Sequence, residues 1–131
     1  MRYLLFVLAL LTSGCGDDLE VSIKQEIQEH IQKEAEALVA DKTCNGAGDC
    51  DAIAWGINPC GNVKDYLVFA PSQTDVAQLE KLAAEYNQLD REINAIVGGA
   101  ELIDCELFLI KPELECDEHV CKSTGPKYVI S

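Results

Sequence analysis

The chain is poor in positive charge and in histidine: its 131 residues hold ten Lys and Arg against 23 Asp and Glu, with His30 and His119 as the two imidazoles. A formal charge of −13 repels phosphate backbones and anionic headgroups, so nucleic-acid binding and direct docking on an acidic bilayer are disfavoured. No Cys-x-x-Cys pair occurs, and two histidines add little nitrogen, so the spacing of a zinc site is missing. The same absence removes the usual motif of a thiol–disulfide oxidoreductase. There is no glycine-rich phosphate loop, no Ser–His–Asp motif, no internal repeat and no low-complexity linker. No metal, cofactor or catalytic residue is therefore expected. The apolar run from Tyr3 to Leu11 has about nine residues, where a membrane-spanning helix needs about 20.

What that run does suggest is export. Met1-Arg2-Tyr3 carries one positive charge, Leu4 to Leu11 is apolar, and Thr12-Ser13-Gly14 are small residues before Cys15. Those are the three parts of a secretory signal. Leu11-Thr12-Ser13-Gly14-Cys15 resembles the lipobox of bacterial lipoproteins, although Thr12 stands where that pattern usually has an aliphatic residue. The resemblance implies that the Cys15 thiol is joined to diacylglycerol and that the signal is cut just before it. Acyl chains bury about 0.8 kcal/mol per methylene, so two or three of them anchor a protein durably. Gly16 follows the cysteine, with the acids one place later at Asp17 and Asp18. By the sorting rule of the class, this implies an outer-membrane protein facing the periplasm in a Gram-negative cell. The organisation expected is a signal over 1–14, a lipidated N-terminus and short tether over 15–19, one domain over 20–124 and a loose tail over 125–131. Four tether residues reach at most ~14 Å, which keeps the domain beside the membrane.

Cutting before Cys15 leaves 117 residues, enough for one compact domain, with nine Lys and Arg against 23 acids and a balance of −14. Six cysteines remain beyond the lipid site: Cys44, Cys50, Cys60, Cys105, Cys116 and Cys121. An even number in a small exported chain reads as three disulfides, each contributing about 2–4 kcal/mol, and the odd seventh is Cys15. Spacing leaves the connectivity open.

Ile23, Ile27, Ile31, Ala35 and Leu38 recur at three and four, predicting an amphipathic helix from Leu19 to about Lys42, with Glu20–Lys24 and Glu29–Lys33 pairs on its wet side. Turn residues bracket a short strand at Ala52–Gly56, and Tyr66-Leu67-Val68-Phe69 reads as a central strand within 65–70. Pro71 to Asp75 opens a second helix, capped by Ser72 or Thr74, whose face runs through Val76, Leu79, Leu82, Tyr86, Leu89 and Ile93 and stops at Gly98-Gly99. A strand is expected from Leu102 to Ile110, then a hairpin of Leu114–Cys116 and Val120–Lys122 around Asp117-Glu118-His119. Trp55, Tyr66, Phe69, Tyr86 and Phe108 read as core. The fold class is α+β, two amphipathic helices packed on one face of a small, mainly antiparallel sheet and crosslinked by disulfides.

Candidate chemistry is thin. Asp41 to Gly46, with Asp49 and Asp51, imitates the start of a calcium loop, but its twelfth place holds Ala52 instead of a bidentate Glu. Asp117-Glu118-His119 has acid–base residue types, yet three consecutive turn residues point apart. His30 reads as a surface position. Cys60-Gly61, the Tyr66–Phe69 strand, the Tyr86-bearing helix, Asp104-Cys105, Pro112-x-Leu114-x-Cys116 and Cys121 look like a recurring type of small exported bacterial protein, over residues 44–121. That resemblance implies no activity and no site. Two function classes stay open. One is a non-enzymatic envelope protein, an adaptor, inhibitor or accessory subunit with an envelope protein as partner. The other is a small envelope enzyme acting on a cell-wall or lipid substrate through carboxylates without a motif. Facing acids of raised pKa in a cleft would favour the second; an acidic surface with one exposed apolar patch would favour the first.

Overall fold

A computed structural model describes residues 16–130; the segment expected to be an export signal, Cys15 and Ser131 lie outside the described residues. The architecture is α+β, in the order α1 Gly16–Leu38, β1 Asp51–Ile57, β2 Val63–Phe69, α2 Val76–Val97, β3 Leu107–Ile110, β4 Leu114–Asp117, β5 Val120–Ser123 and β6 Lys127–Ile130. The strands form three separate antiparallel pairs, β1–β2, β3–β6 and β4–β5, rather than one sheet. The strand expected to be central, β2, therefore has one hydrogen-bonded neighbour, β1. Three disulfides join Cys44 to Cys116, Cys50 to Cys121 and Cys60 to Cys105.

Helix α2 begins where Asp75, in extended conformation, accepts a hydrogen bond from Gln78 N at 3.1 Å. That cap displaces Ser72 and Thr74, because Pro71–Gln73 forms a 3-10 turn and Thr74 follows it in extended geometry. The helix ends at Gly98 and Gly99, both at positive φ (72° and 108°), which side chains with a Cβ resist. Leu79, Leu82 and Ala83 on α2 meet Ile31 and Ala35 on α1, and Trp55 and Phe69 from β1–β2 close this core. The helices run antiparallel: Lys24 pairs with Glu92 at 3.4 Å, and Gln78 donates to Glu34 at 3.3 Å. Lys24 also pairs with Glu20, as the spacing predicts, whereas no Glu29–Lys33 ion pair forms.

The seat of α2 on β1 is polar. Asn87, Asp90 and Asn94 lie on one stripe of the helix, three and four residues apart. Asn87 Oδ1 accepts from Gly56 N at 2.6 Å, and Asn87 Nδ2 donates to Ala54 O at 3.2 Å. Asp90 Oδ2 accepts from Ile57 N at 2.7 Å, and Asn94 Nδ2 donates to Ile57 O at 2.8 Å. Asp90 is 5 % exposed, and its second oxygen accepts from Gln28 Nε2 of α1 at 2.6 Å. Lys64 of β2 supplies the countercharge at 3.1 Å. Gly56 makes this approach possible: it has φ 87°, and a Cβ there would lie 2.7 Å from Lys64 Cε and 3.2 Å from Asp90 Oδ2.

The C-terminal third is held differently. Residues 118 and 119 turn the β4–β5 hairpin through positive φ at both positions (Glu118 50°, His119 63°), the geometry of a two-residue hairpin turn. Lys42 O accepts from Cys121 N at 2.9 Å and Cys44 N donates to His119 O at 3.0 Å, so the segment after α1 lies alongside β5. Two expectations change here. The strand predicted from Leu102 starts at Leu107, since Ala100–Leu102 is a 3-10 turn and Cys105 bonds to Cys60. The predicted loose tail is strand β6, paired with β3 from Lys127↔Ile110 to Ile130↔Leu107. The tether expected over 15–19 is likewise replaced from Gly16 onward by the first turn of α1.

Removing the Asp90 carboxylate should leave Ile57 N–H buried without its acceptor and Gln28 Nε2 with Tyr86 O alone. Asp90→Ala is expected to lower stability by about 2–5 kcal/mol, and Asp90→Asn by less, because it keeps an acceptor for Ile57 N. Urea unfolding at constant m-value measures this; an Asp90→Ala midpoint equal to the parent's would refute the role given to Asp90.

Candidate functional site

The described residues bring together few of the groups that the sequence offers for chemistry. In the calcium-like loop, Asp41 Oδ1 accepts from Thr43 Oγ1 at 2.6 Å and Thr43 N at 3.1 Å, bonds that hold its pKa below the usual carboxylate value. Asp49 Oδ2 accepts from Asn45 N at 2.8 Å and Gly46 N at 3.2 Å, closing its own turn. Asp51 meets the Lys111 ammonium. Its partial burial pushes its pKa up, but the Lys111 hydrogen bond and charge and the Ala52 N–H outweigh that and leave it lowered. These carboxylates serve turns and one ion pair.

Asp117 pairs with Lys122 at 3.1 Å, while His119 Nδ1 lies 3.2 Å from Cys44 O, so the acid and the imidazole of this turn face different partners. His30 is exposed on α1. Among the described residues, one group has sulfur or carboxylate atoms close enough to share an ion: Cys44, Cys50 and Cys121, within 4.8 Å of one another. Each of those sulfurs is already bonded in a disulfide. Three disulfides suit an oxidising, exported environment, and no helix among the described residues is long and apolar enough to cross a membrane.

Two surface features lie on opposite flanks of α1. The first is an open depression of about 610 Å³ lined by Gln25, Gln28, Gln32, Glu36 and Tyr86. Two of its three amides are engaged from below: Gln28 by Asp90, and Gln32 Oε1 by Trp55 Nε1 at 2.5 Å. The Tyr86 ring lies over Trp55 at 4.7 Å, and burial, then the Asp90 charge, raises its pKa against opposition from Lys64 and the Trp55 hydrogen bond.

The second is apolar. Leu19, Ile23 and Ile27, spaced by four along α1, are 61 %, 50 % and 45 % exposed. Two adjoining hollows of about 300 and 420 Å³ run along this stripe, both floored by Ile27 and by Leu89 of α2. The first hollow reaches Gly16; the second continues to Ile31 and Ala84. Their rim carries Glu20, Glu85 and Glu92, with Lys24 tied to Glu20 and Glu92. Sequence reading placed Ile23 and Ile27 on the core face of α1, and the stripe shows half of that face uncovered. A further set of exposed apolar side chains, Leu102, Ile103, Leu107, Tyr128 and Ile130, lies on the 3-10 turn after α2 and its cap and on β3–β6.

The Asp90 centre was missed from sequence, although a signal existed: Asp90 follows Tyr86 by four and precedes Ile93 by three, inside the apolar stripe of α2. Gln28 interrupts the stripe of α1 in the same way, three before Ile31. Comparison with known proteins adds no assignment: no family model, no curated protein and no solved structure matches the chain.

The raised pKa of Tyr86 has a sign that can be checked. The unfolded phenol ionises near pH 10, whereas the folded one holds its proton to higher pH. Above pH 10 the folded state binds more protons than the unfolded one, so stability falls as pH rises between the two values. Ultraviolet titration should show a phenol that ionises later than free tyrosine and is missing in Tyr86→Phe; an unchanged late component in that variant would assign it elsewhere.

Proposed function

We propose that this protein is a lipid-anchored bacterial envelope protein that works by binding another envelope protein, without catalysis of its own. The observation that carries the binding half is the uncovered apolar stripe Leu19-Ile23-Ile27 on a strongly acidic surface. Contiguous exposed apolar area of that kind is disfavoured on a free soluble protein and marks a contact surface. An enzyme using paired carboxylates would instead need acids whose protons are held to higher pH in a cleft. The two acids with clearly displaced titration, Asp41 and Asp51, are displaced downward, and buried Asp90 spends both oxygens on the fold.

The anchoring half rests on Leu11-Thr12-Ser13-Gly14-Cys15, with the six other cysteines accounted for in pairs. The helix that begins at Gly16 would then rise directly from the lipid-bearing residue, holding the domain against its membrane. The outer membrane, on its periplasmic face, is the address that Gly16 favours in a Gram-negative cell.

A Cys15→Ser chain is expected to lose labelling by palmitate and to leave the membrane fraction for the soluble one; persistent labelling would exclude Cys15 as the lipid site. Crosslinking in intact envelopes followed by mass spectrometry tests the binding half, and reproducible absence of any crosslinked protein would count against it.

A further inference from the structure

The geometry points to the groove between α1 and α2 as a docking site for a cationic amphipathic helix, a deepening that rests on the binding reading above. The two helices close only one side of their layer. On the sheet side, Gln28, Gln32 and Tyr86 bond or stack onto Asp90 and Trp55. On the outer side, Ile23 and Ile27 of α1 and Leu89 of α2 leave an apolar floor open to water. Two antiparallel helices with an open seam accept a third helix, whose anchors at i, i+3 or i+4 and i+7 fill the hollows in turn. The hollows run from Gly16 to Ile31, sixteen helical residues, or about 22 Å over their fifteen steps of 1.5 Å.

Charge selects the occupant. Of the rim groups, Lys24 is used by Glu20 and Glu92, and Glu85 has no ion-pair partner among the described residues. A second copy of this chain would bring the same acids against them, under a net charge of −13 on each copy. An anionic bilayer meets the same repulsion. The acyl chains proposed at Cys15 gain little, since a half-open groove is wetter than the bilayer they would leave. A helix with leucine on one face and lysine on the other satisfies both floor and rim, in the helix-in-groove mode.

The test uses the full chain carrying Cys15→Ser, which leaves every groove residue in place, and a labelled synthetic peptide of about 18 residues patterned as a Leu/Lys amphipathic helix. Fluorescence anisotropy should show saturable binding that weakens with added salt. Ile23→Ser/Ile27→Ser should raise Kd by about tenfold or more while thermal unfolding falls only slightly, since both side chains are already about half exposed. Glu85→Lys/Glu92→Lys keeps the floor and should shift preference towards a Leu/Glu peptide of the same pattern. Equal affinity of parent and floor variant, or equal affinity for the Leu/Glu peptide, would overturn the assignment. So would self-association in sedimentation that the floor variant abolishes, or binding to anionic phosphatidylglycerol vesicles in place of the peptide. Envelope crosslinks that survive Ile23→Ser/Ile27→Ser would remove the groove and leave the binding reading standing; absence of crosslinks from parent and variant alike would remove both.

Discussion

Everything in the N-terminal two thirds of this fold is indexed to one carboxylate. Asp90 sits on the buried face of α2, where an unpaired charge would cost several kcal/mol in lost hydration. Its oxygens are met by a backbone N–H from β1, an amide from α1 and an ammonium from β2, one partner from each neighbouring element. A greasy helix can slide or rotate on a sheet with modest loss, because dispersion is not directional. A helix whose Asn87, Asp90 and Asn94 grip Ala54, Gly56 and Ile57 cannot, since a shift by one turn would unpair the whole stripe at once. The left-handed Gly56 belongs to the same device: it lets the strand backbone and the Lys64 side chain approach Asp90 together.

The C-terminal third solves the opposite problem. Strands of four residues in isolated pairs are too small to be stable alone, and they bring little apolar area to bury. Covalent bonds take over. Cys116 and Cys121 face each other across β4–β5, and their bridges run to Cys44 and Cys50 on the segment between α1 and β1. Those bridges span 72 and 71 residues, long loops whose closure removes much freedom from the unfolded chain. Around them Cys44, Ala70 and Cys121 form a second small core, separate from the one under Trp55 and Leu79. Hydrophobic burial with a polar lock holds one side and disulfides hold the other, and those bridges suit an oxidising compartment.

The α+β class, both helices and the hairpin turn at residues 118–119 were legible because each rests on local chemistry: apolar spacing near 3.6, a Gly-Gly stop and short apolar runs around a polar turn. What was illegible depended on partners distant in sequence. Val68 and its neighbours are apolar enough for a central strand, yet β2 gained only β1 as neighbour, because the later strands pair among themselves. The tail from Gly125 looks unstructured by composition and is ordered only because Leu107–Ile110 offers it an edge. Cysteine count implied bridges, while their partners are chosen by a hairpin register that no spacing reveals. The candidate site was the least readable part. Ile23 and Ile27 fit a core stripe, and whether a stripe is covered depends on the number of elements available to cover it.

That last point bears on how α1 stays folded. None of its residues before Gln28 is buried, so its first three turns draw little from the core. Isolated helices of that length are marginal in water. Local terms compensate: Asp17 and Asp18 face the positive end of the helix dipole, and Lys24 ties Glu20 on its own helix to Glu92 on α2. These terms keep Leu19, Ile23 and Ile27 in register without covering them. A surface held open in this way needs no refolding to receive a partner, so the ordering cost that weakens binding by disordered segments falls on the partner alone. The polar lock around Asp90 and the open apolar seam are thus two faces of one helix pair, the first fixing the second in place.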